Sequence, residues 1–325
     1  MRFTVFAAAN VIGLSLLSSA AFSQPATYPN RPVRVVVPLP PGGGQDAVGR
    51  ILTPGLSEAL GASFFIDNRP GAGQTLGTDM VAKAAPDGYT LMMAGAAFTI
   101  APFTYASVPY DVVKDFAPIT QVAFQPLFLA VHHAVKASSV QELIALARAR
   151  PGELNLGLGD PGGSGAMAGE LLKMVTNTKM VSVPYKGGPL ALMALMTNEV
   201  QVLFTTPTSA IQHLKSGKLK MLGTTGKERA PYLPDVPTLN EAGIKDVDVG
   251  PWQGLVAPAR TPDAIIGRLH KQIVAVLQLP VIRERLAASG ADTIVGSSPK
   301  DFALLINREL VQNARVVKAA GLKSE

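Results

Sequence analysis

Val33-Arg34-Val35-Val36-Val37-Pro38-Leu39-Pro40-Pro41-Gly42-Gly43-Gly44-Gln45-Asp46 reads as a short buried strand, a stiff proline and glycine loop, and the start of a helix. The β-branched run suits a strand covered on both faces. Pro38, Pro40 and Pro41 stiffen the exit and donate no N–H. Gly42, Gly43 and Gly44 let the main chain turn and come close to a ligand. Asp46, Ala47, Val48, Ile51, Leu52, Leu56 and Leu60 then recur at helical spacing, and Gly61 stands where that helix stops. Unpaired N–H groups at a loop-to-helix junction attract anions. This junction is therefore expected to hold one carboxylate of a small organic acid.

The totals agree with a packed protein. The chain has 325 residues, 47% of them hydrophobic and only 16% charged, so a large core is available and disorder is not expected. The net charge of +6 is spread along the chain, with no basic block and little aromatic interleaving, which argues against a nucleic-acid partner. There is no cysteine, which excludes disulfides, thiol catalysis and cysteine metal sites. Residues 1–23 resemble a secretory signal: Arg2, an apolar run from Phe6 to Leu17, then Ala21-Phe22-Ser23 before a cut at Gln24. No later stretch reads as long enough to span a bilayer. An exported protein is expected.

Strand and helix alternate along the rest. Phe64 to Ile66, Tyr89 to Met93, Asn155 to Leu158, Val181 to Tyr185, Val200 to Phe204, Leu219 to Thr224 and Trp252 to Ala257 read as strands. Val122 to Val131 reads as one long apolar strand interrupted by Pro126, and Ala94 to Pro118 as irregular chain. Ser139-Val140-Gln141-Glu142 is a capping box that opens a helix. Thr261-Pro262 opens another, with Ile265, Ile266, Leu269, Ile273, Val276 and Leu277 on one face. The device of strand, glycine-rich loop and helix occurs twice, at Gly42–Gly44 and at Gly159–Gly165. The chain ends in helices with no strand expected after them. Two α/β lobes fit this pattern: residues 24–122 plus 254–325 in one, residues 123–253 in the other.

Other chemistries are less well supported. Gly42, Gly44 and Ala47 fit G-x-G-x-x-A with Asp67 downstream, but Pro38 to Pro41 separate the glycines from the strand, so no dinucleotide cofactor is expected. Gly162-Gly163-Ser164-Gly165-Ala166 falls one residue short of a nucleophile elbow. Ser164 reads more readily as a helix cap or ligand contact than as the nucleophile of an exported serine hydrolase, since no histidine is placed to serve it. His132, His133, His213 and His270 show no metal-binding spacing, and His132 and His133 point to opposite faces if they end a strand. Asp46 serves as a helix cap or a ligand contact. Phe98, Tyr185 and Trp252 fall at loop or strand ends, where a ring either lines a cleft or fills a core.

Several segments carry a resemblance in chain order. They are Tyr28-Pro29, Arg31-Pro32-Val33-Arg34, Val37 to Asp46, Asn68-Arg69-Pro70-Gly71-Ala72-Gly73, Ala85-Pro86-Asp87-Gly88-Tyr89-Thr90-Leu91 and Tyr110-Asp111 with Lys114-Asp115-Phe116-Ala117-Pro118-Ile119. Val183-Pro184-Tyr185-Lys186-Gly187-Gly188, Gly217-Lys218-Leu219, Leu233-Pro234-Asp235-Val236-Pro237-Thr238 and Leu255-Val256-Ala257-Pro258 continue it. The mature chain resembles the Bug, or TctC-like tripartite tricarboxylate transporter, periplasmic substrate-binding proteins. That resemblance implies an α/β type II periplasmic-binding-protein fold, two lobes with a ligand cleft between them. It implies that the loops Pro40 to Asp46 and Gly159 to Ala166 pinch a carboxylate through main-chain N–H groups and ordered water.

On this reading the ligand contacts are Pro40, Gly42, Gly43, Gly44, Gln45, Asp46, Phe98, Gly162, Gly163, Ser164, Gly165, Ala166, Tyr185, Thr205 and Thr206, with no catalytic residue, metal or cofactor. The expected partners are a small carboxylate and a membrane permease or sensor, and the protein is expected to be a monomer. Ala166 stands where many relatives have histidine, and Thr205 where many have an aspartate that binds an amino group. With Phe98 in the cleft, these departures point to a dicarboxylate or an aromatic carboxylate.

Overall fold

The computed structural model describes residues 28–159, 162–214, 216–291 and 293–322. The signal-like segment 1–23, with its cleavage position, and Asp160-Pro161 of the second glycine loop lie outside them. The strand at Val33–Val37 (β1) leads through the Pro/Gly loop into the helix Gly44–Leu60 (α1), which ends on Gly61 in the left-handed region at φ 68°. Strands Phe64–Asn68 (β2) and Thr90–Gly95 (β3) pair parallel to β1 on either side. The helix Thr75–Ala82 (α2) connects them.

Two sheets form. The first has the order β2-β1-β3-β10-β4-β11, where β4 is Phe116–Phe124, β10 is Trp252–Pro258 and β11 is Thr293–Ile294. The second runs β7-β6-β8-β5-β9, from Phe128–His132 (β5), Asn155–Leu158 (β6), Val181–Pro184 (β7), Val202–Thr205 (β8) and Leu219–Thr224 (β9). The two orders match: second strand, first, third, one antiparallel strand arriving from across a crossing, then the fourth. This is the α/β, two-lobed architecture that the resemblance implies.

Period-two alternation assigns each sheet face. Val33, Val35 and Val37 pack against Val48, Leu52 and Leu56 of α1, while Val36 packs with Phe98 and Phe302 on the other face. Burying each such valine contributes about 1.5–3 kcal/mol, so a register slip that exposed the run is strongly disfavoured. The helix Asp263–Leu277 (α8) shares the α1 face through Leu269 and Ile273. In the second sheet, Val140–Ala149 (α4) and Ser164–Thr176 (α5) cover the face of Leu129 and Val131, and Gly188–Met196 (α6) covers the other. Pro207–Leu214 (α7) follows β8, and Pro280–Ala288 (α9) precedes β11.

Three expectations are corrected. Val122 to Val131 is not one strand: β4 ends at Phe124, β5 begins at Phe128, and Pro126 stands in the crossing between two sheets. Ala97–Thr104 (α3) is a helix despite Pro102, held by its buried face and by bonds to the last helix. The chain also adds strand β11 before that last helix, Pro299–Ala320 (α10). α10 serves both lobes. Phe302 and Ile306 lie in the core under the first sheet, and Val316 and Val317 in the core under the second. The crossings touch one another, with Gln125 N–H donating to the Pro251 carbonyl at 2.8 Å. Among the described residues no single helix is long and apolar enough to cross a membrane.

Candidate functional site

The carboxyl ends of β1, β3, β6, β7 and β8 each feed a loop that opens a helix, so each of these sheet edges carries helix N-termini. After β1, Gly42 turns at φ 91° and Gly43 is the N-cap of α1 with extended backbone and no side-chain cap. After β6, Gly163 caps α5 in the same conformation, also without a side-chain cap. Neither helix therefore has a capping side chain from its own N-cap residue. Gly162 lines a cavity of about 330 Å³ together with Pro40, Ala97, Ala101 and the segment Pro70 to Gln74, so the two glycine loops approach one space.

The first loop is braced from behind. Asp46 is 2% exposed and accepts from Gly42 N–H at 2.9 Å, from Arg50 Nε at 2.9 Å and from Asn68 Nδ2 at 3.0 Å. Burial pushes its carboxyl up, but the bonds from Arg50, Gly42 and Asn68 outweigh burial and hold it below its ordinary 3.8. Asp46 is therefore a brace that shapes the loop, its charge already answered by Arg50. The spacing of Asp46 and Arg50 at i, i+4 was the legible signal for this. Asn68, which also donates to the Leu39 carbonyl, needed the β1–β2 register to find. Gln45 is buried too, and its amide donates to the Met93 carbonyl at 2.9 Å. Gly95 makes room for it, since a Cβ there would lie 2.8 Å from that amide.

In the second loop, Ser164 and Gly165 begin α5. A Cβ on Gly165 would lie 3.1 Å from the Phe204 carbonyl, so glycine lets the helix start close to the end of β8. Ala166 is fully buried in the second lobe's core, leaving only its main chain to the loop. Thr205 ends β8 and is 8% exposed. The Thr206 carbonyl accepts from Ser209 and Ala210 N–H and its hydroxyl lies 2.9 Å from that of Ser209, which opens α7 at the same edge.

One aromatic expectation changes. Phe98 is 3% exposed, stacked on Tyr110 at 6.4 Å and edge-on to Phe116 at 4.9 Å, so it fills the first lobe's core and does not line the cleft. Tyr185 donates its hydroxyl to Glu199 at 2.7 Å and packs beside Leu192 and Leu195, with its phenol pushed up to about 12 by burial and by Glu199. The histidines lie elsewhere: His132 ends β5, its ring 4.3 Å from that of His133 instead of on the opposite face, His213 is in the last turn of α7, and His270 meets the Ser297 carbonyl.

A family profile described as tripartite tricarboxylate transporter family receptor, TctC, matches residues 48–322. The chain belongs to that family. It is similar to protein BugT of Bordetella pertussis, 34% identical over 318 residues, 96% of this chain and 97% of BugT. Among solved structures it is similar to an adipate-bound protein of R. palustris, 32% identical with a TM-score of 0.72, covering 90% of this chain and 98% of that one. It is also similar to malate-bound MatC of Rhodopseudomonas palustris, 31% identical with a TM-score of 0.69, covering 89% and 100%. Membership in the TctC family makes the chain a relative of periplasmic solute-binding proteins.

Proposed function

We propose that this TctC-family chain is an extracytoplasmic receptor that captures a small aliphatic dicarboxylate between its lobes and delivers it to membrane permease subunits of a tripartite tricarboxylate-type transporter. One observation carries the reading: two helices, α1 and α5, each start on an uncapped glycine, and their loops border one space from opposite lobes. The macrodipole of each helix is worth about 0.3–1 kcal/mol to an anion, too little to hold one alone. Hydrogen bonds to a charged group are worth about 1.5–3 kcal/mol each, so the loop amides carry the binding and the dipoles assist. Closure of the lobes would remove competing water and strengthen those bonds.

The relatives bound to adipate and to malate support a dicarboxylate. The aromatic alternative rested on Phe98 facing the cleft, and that ring is in the core. Thr205 in place of an acid leaves nothing at that position to pair with an amino group. No bond is made or broken in this reading. Calorimetric titration of the mature protein with adipate, malate and benzoate tests it. Saturable binding of adipate or malate is expected, with benzoate weaker. Absence of binding by both dicarboxylates overturns it.

A further inference from the structure

Along β10 the side chains alternate. Trp252 and Val256 face α10, while Gln253 and Leu255 face α1. Leu255 and Ala257 belong to the apolar core on that side, so Gln253 is the point at which the row turns polar, at the end nearest the α1 N-terminus. The residue is 8% exposed. Its carbonyl oxygen is buried with no hydrogen-bond partner among the described residues. Its amide nitrogen lies 3.7 Å from the position a Gly44 Cβ would take, the nearest atom to that spot. The register of β10 against β4 shifts between Gln253 and Gly254, where Gln253 pairs Ala123 and Gly254 pairs Gln121. Such irregularities re-aim a side chain beside a site.

A buried amide oxygen without a partner costs stability, and the nitrogen of the same amide, turned toward Gly44, takes no hydrogen bond among the described residues. The two neighbouring polar side chains are occupied: Gln45 donates to the Met93 carbonyl, and Asp46 is held by Arg50, Gly42 and Asn68. We propose that Gln253 is a specificity-determining ligand contact, its side-chain amide donating to the same carboxylate that the Gly44 amide receives. The inference rests on the carboxylate reading above and adds to it a side-chain donor fixed by a strand, next to main-chain donors fixed by a helix. A donor held in place by a strand discriminates sharply, because a ligand that cannot accept from it leaves it unpaired.

Calorimetry with adipate and with malate on the wild type, Gln253→Leu and Gln253→Glu tests this, together with ¹⁵N side-chain amide spectra of the wild type. For the acid that saturates the wild type, Gln253→Leu should weaken binding about 10- to 100-fold and Gln253→Glu should abolish it by like-charge repulsion. The Gln253 amide signals should move on titration. Gln253→Leu should melt at or above the wild-type temperature, since it removes a buried carbonyl oxygen that has no partner among the described residues; a purely structural glutamine would instead lower it. Wild-type saturation with an unmoved Gln253 amide and less than about a two-fold change in Gln253→Leu overturns the inference and leaves the carboxylate reading standing. If neither acid binds the wild type, both fall.

Discussion

The Asp46 carboxylate reaches back across the start of α1 to accept the Gly42 N–H at 2.9 Å. This contact fixes the turn that leads into the helix and uses one main-chain donor while leaving the following amides for a guest. Removing the side chain strips Gly42 and Asn68 of an acceptor. Arg50 is more than half exposed, so its freed charge returns to water and the cost stays below that of a fully buried broken pair. Asp46→Ala should lose about 1–3 kcal/mol in denaturant unfolding and weaken carboxylate binding. Because its folded pKa is lowered, the Asp46 contribution is present above 3.8 and is lost only as the pH falls below it.

Gly43 and Gly163 both have backbone angles that suit an aspartate N-cap, at φ −73° and −95°. An aspartate there would occupy the amides that the proposed carboxylate site uses while satisfying the helix. Gly43→Asp and Gly163→Asp should each abolish carboxylate binding with melting temperatures unchanged or slightly raised. Calorimetry alongside thermal melts checks both halves.

Trp252 Nε1 donates to both Glu309 oxygens at 2.9 Å, and Thr99 Oγ1 donates at 2.6 Å. Burial pushes the Glu309 carboxyl up to about 7, against the bonds from Thr99 and Trp252. A raised acid favours folding below its unfolded value of 4.5, and that advantage disappears as the pH rises from 4.5 to about 7. Glu309→Gln should remove this slope. His132, whose pKa burial lowers, works in the opposite sense. The measurement is therefore the difference between wild type and Glu309→Gln in unfolding midpoint across that range.

The crossings are packed at Gly250, where a Cβ would meet the Gln125 carbonyl and the Phe124 ring. Gly250→Ala should cost about 1–3 kcal/mol. Gly267, in α8, has open space around it and no positive φ, so Gly267→Ala should instead gain about 0.4–1 kcal/mol. Opposite shifts in chemical denaturation are the expected result.

Much of this was legible locally. The valine run, the glycine loops and the Ser139–Glu142 cap all act within a few residues: Glu142 N–H donates to Ser139 Oγ at 3.1 Å, while the Glu142 carboxylate accepts from Ser138 N–H at 2.7 Å, one residue before the box position. What depends on distant partners was not. α3 exists because Thr99 bonds Glu309 and Asn313 more than two hundred residues away, which outweighs the Pro102 signal. Phe98 looked like a cleft ring because its partners, Tyr110 and Phe116, lie in chain that read as irregular. Gln253 gave no motif, since its meaning comes from which strand lies beside Gly44.

The central claim is that amides at the starts of α1 and α5 hold one carboxylate from two sides. A crystal structure of the protein grown with adipate or malate, whichever binds more tightly in calorimetry, tests it most directly. The account predicts a carboxylate within hydrogen-bond distance, direct or through one water, of main-chain N–H groups in both Gly43–Gln45 and Gly163–Ala166. An acid seated in another cavity, or touching only one of those loops, would contradict it.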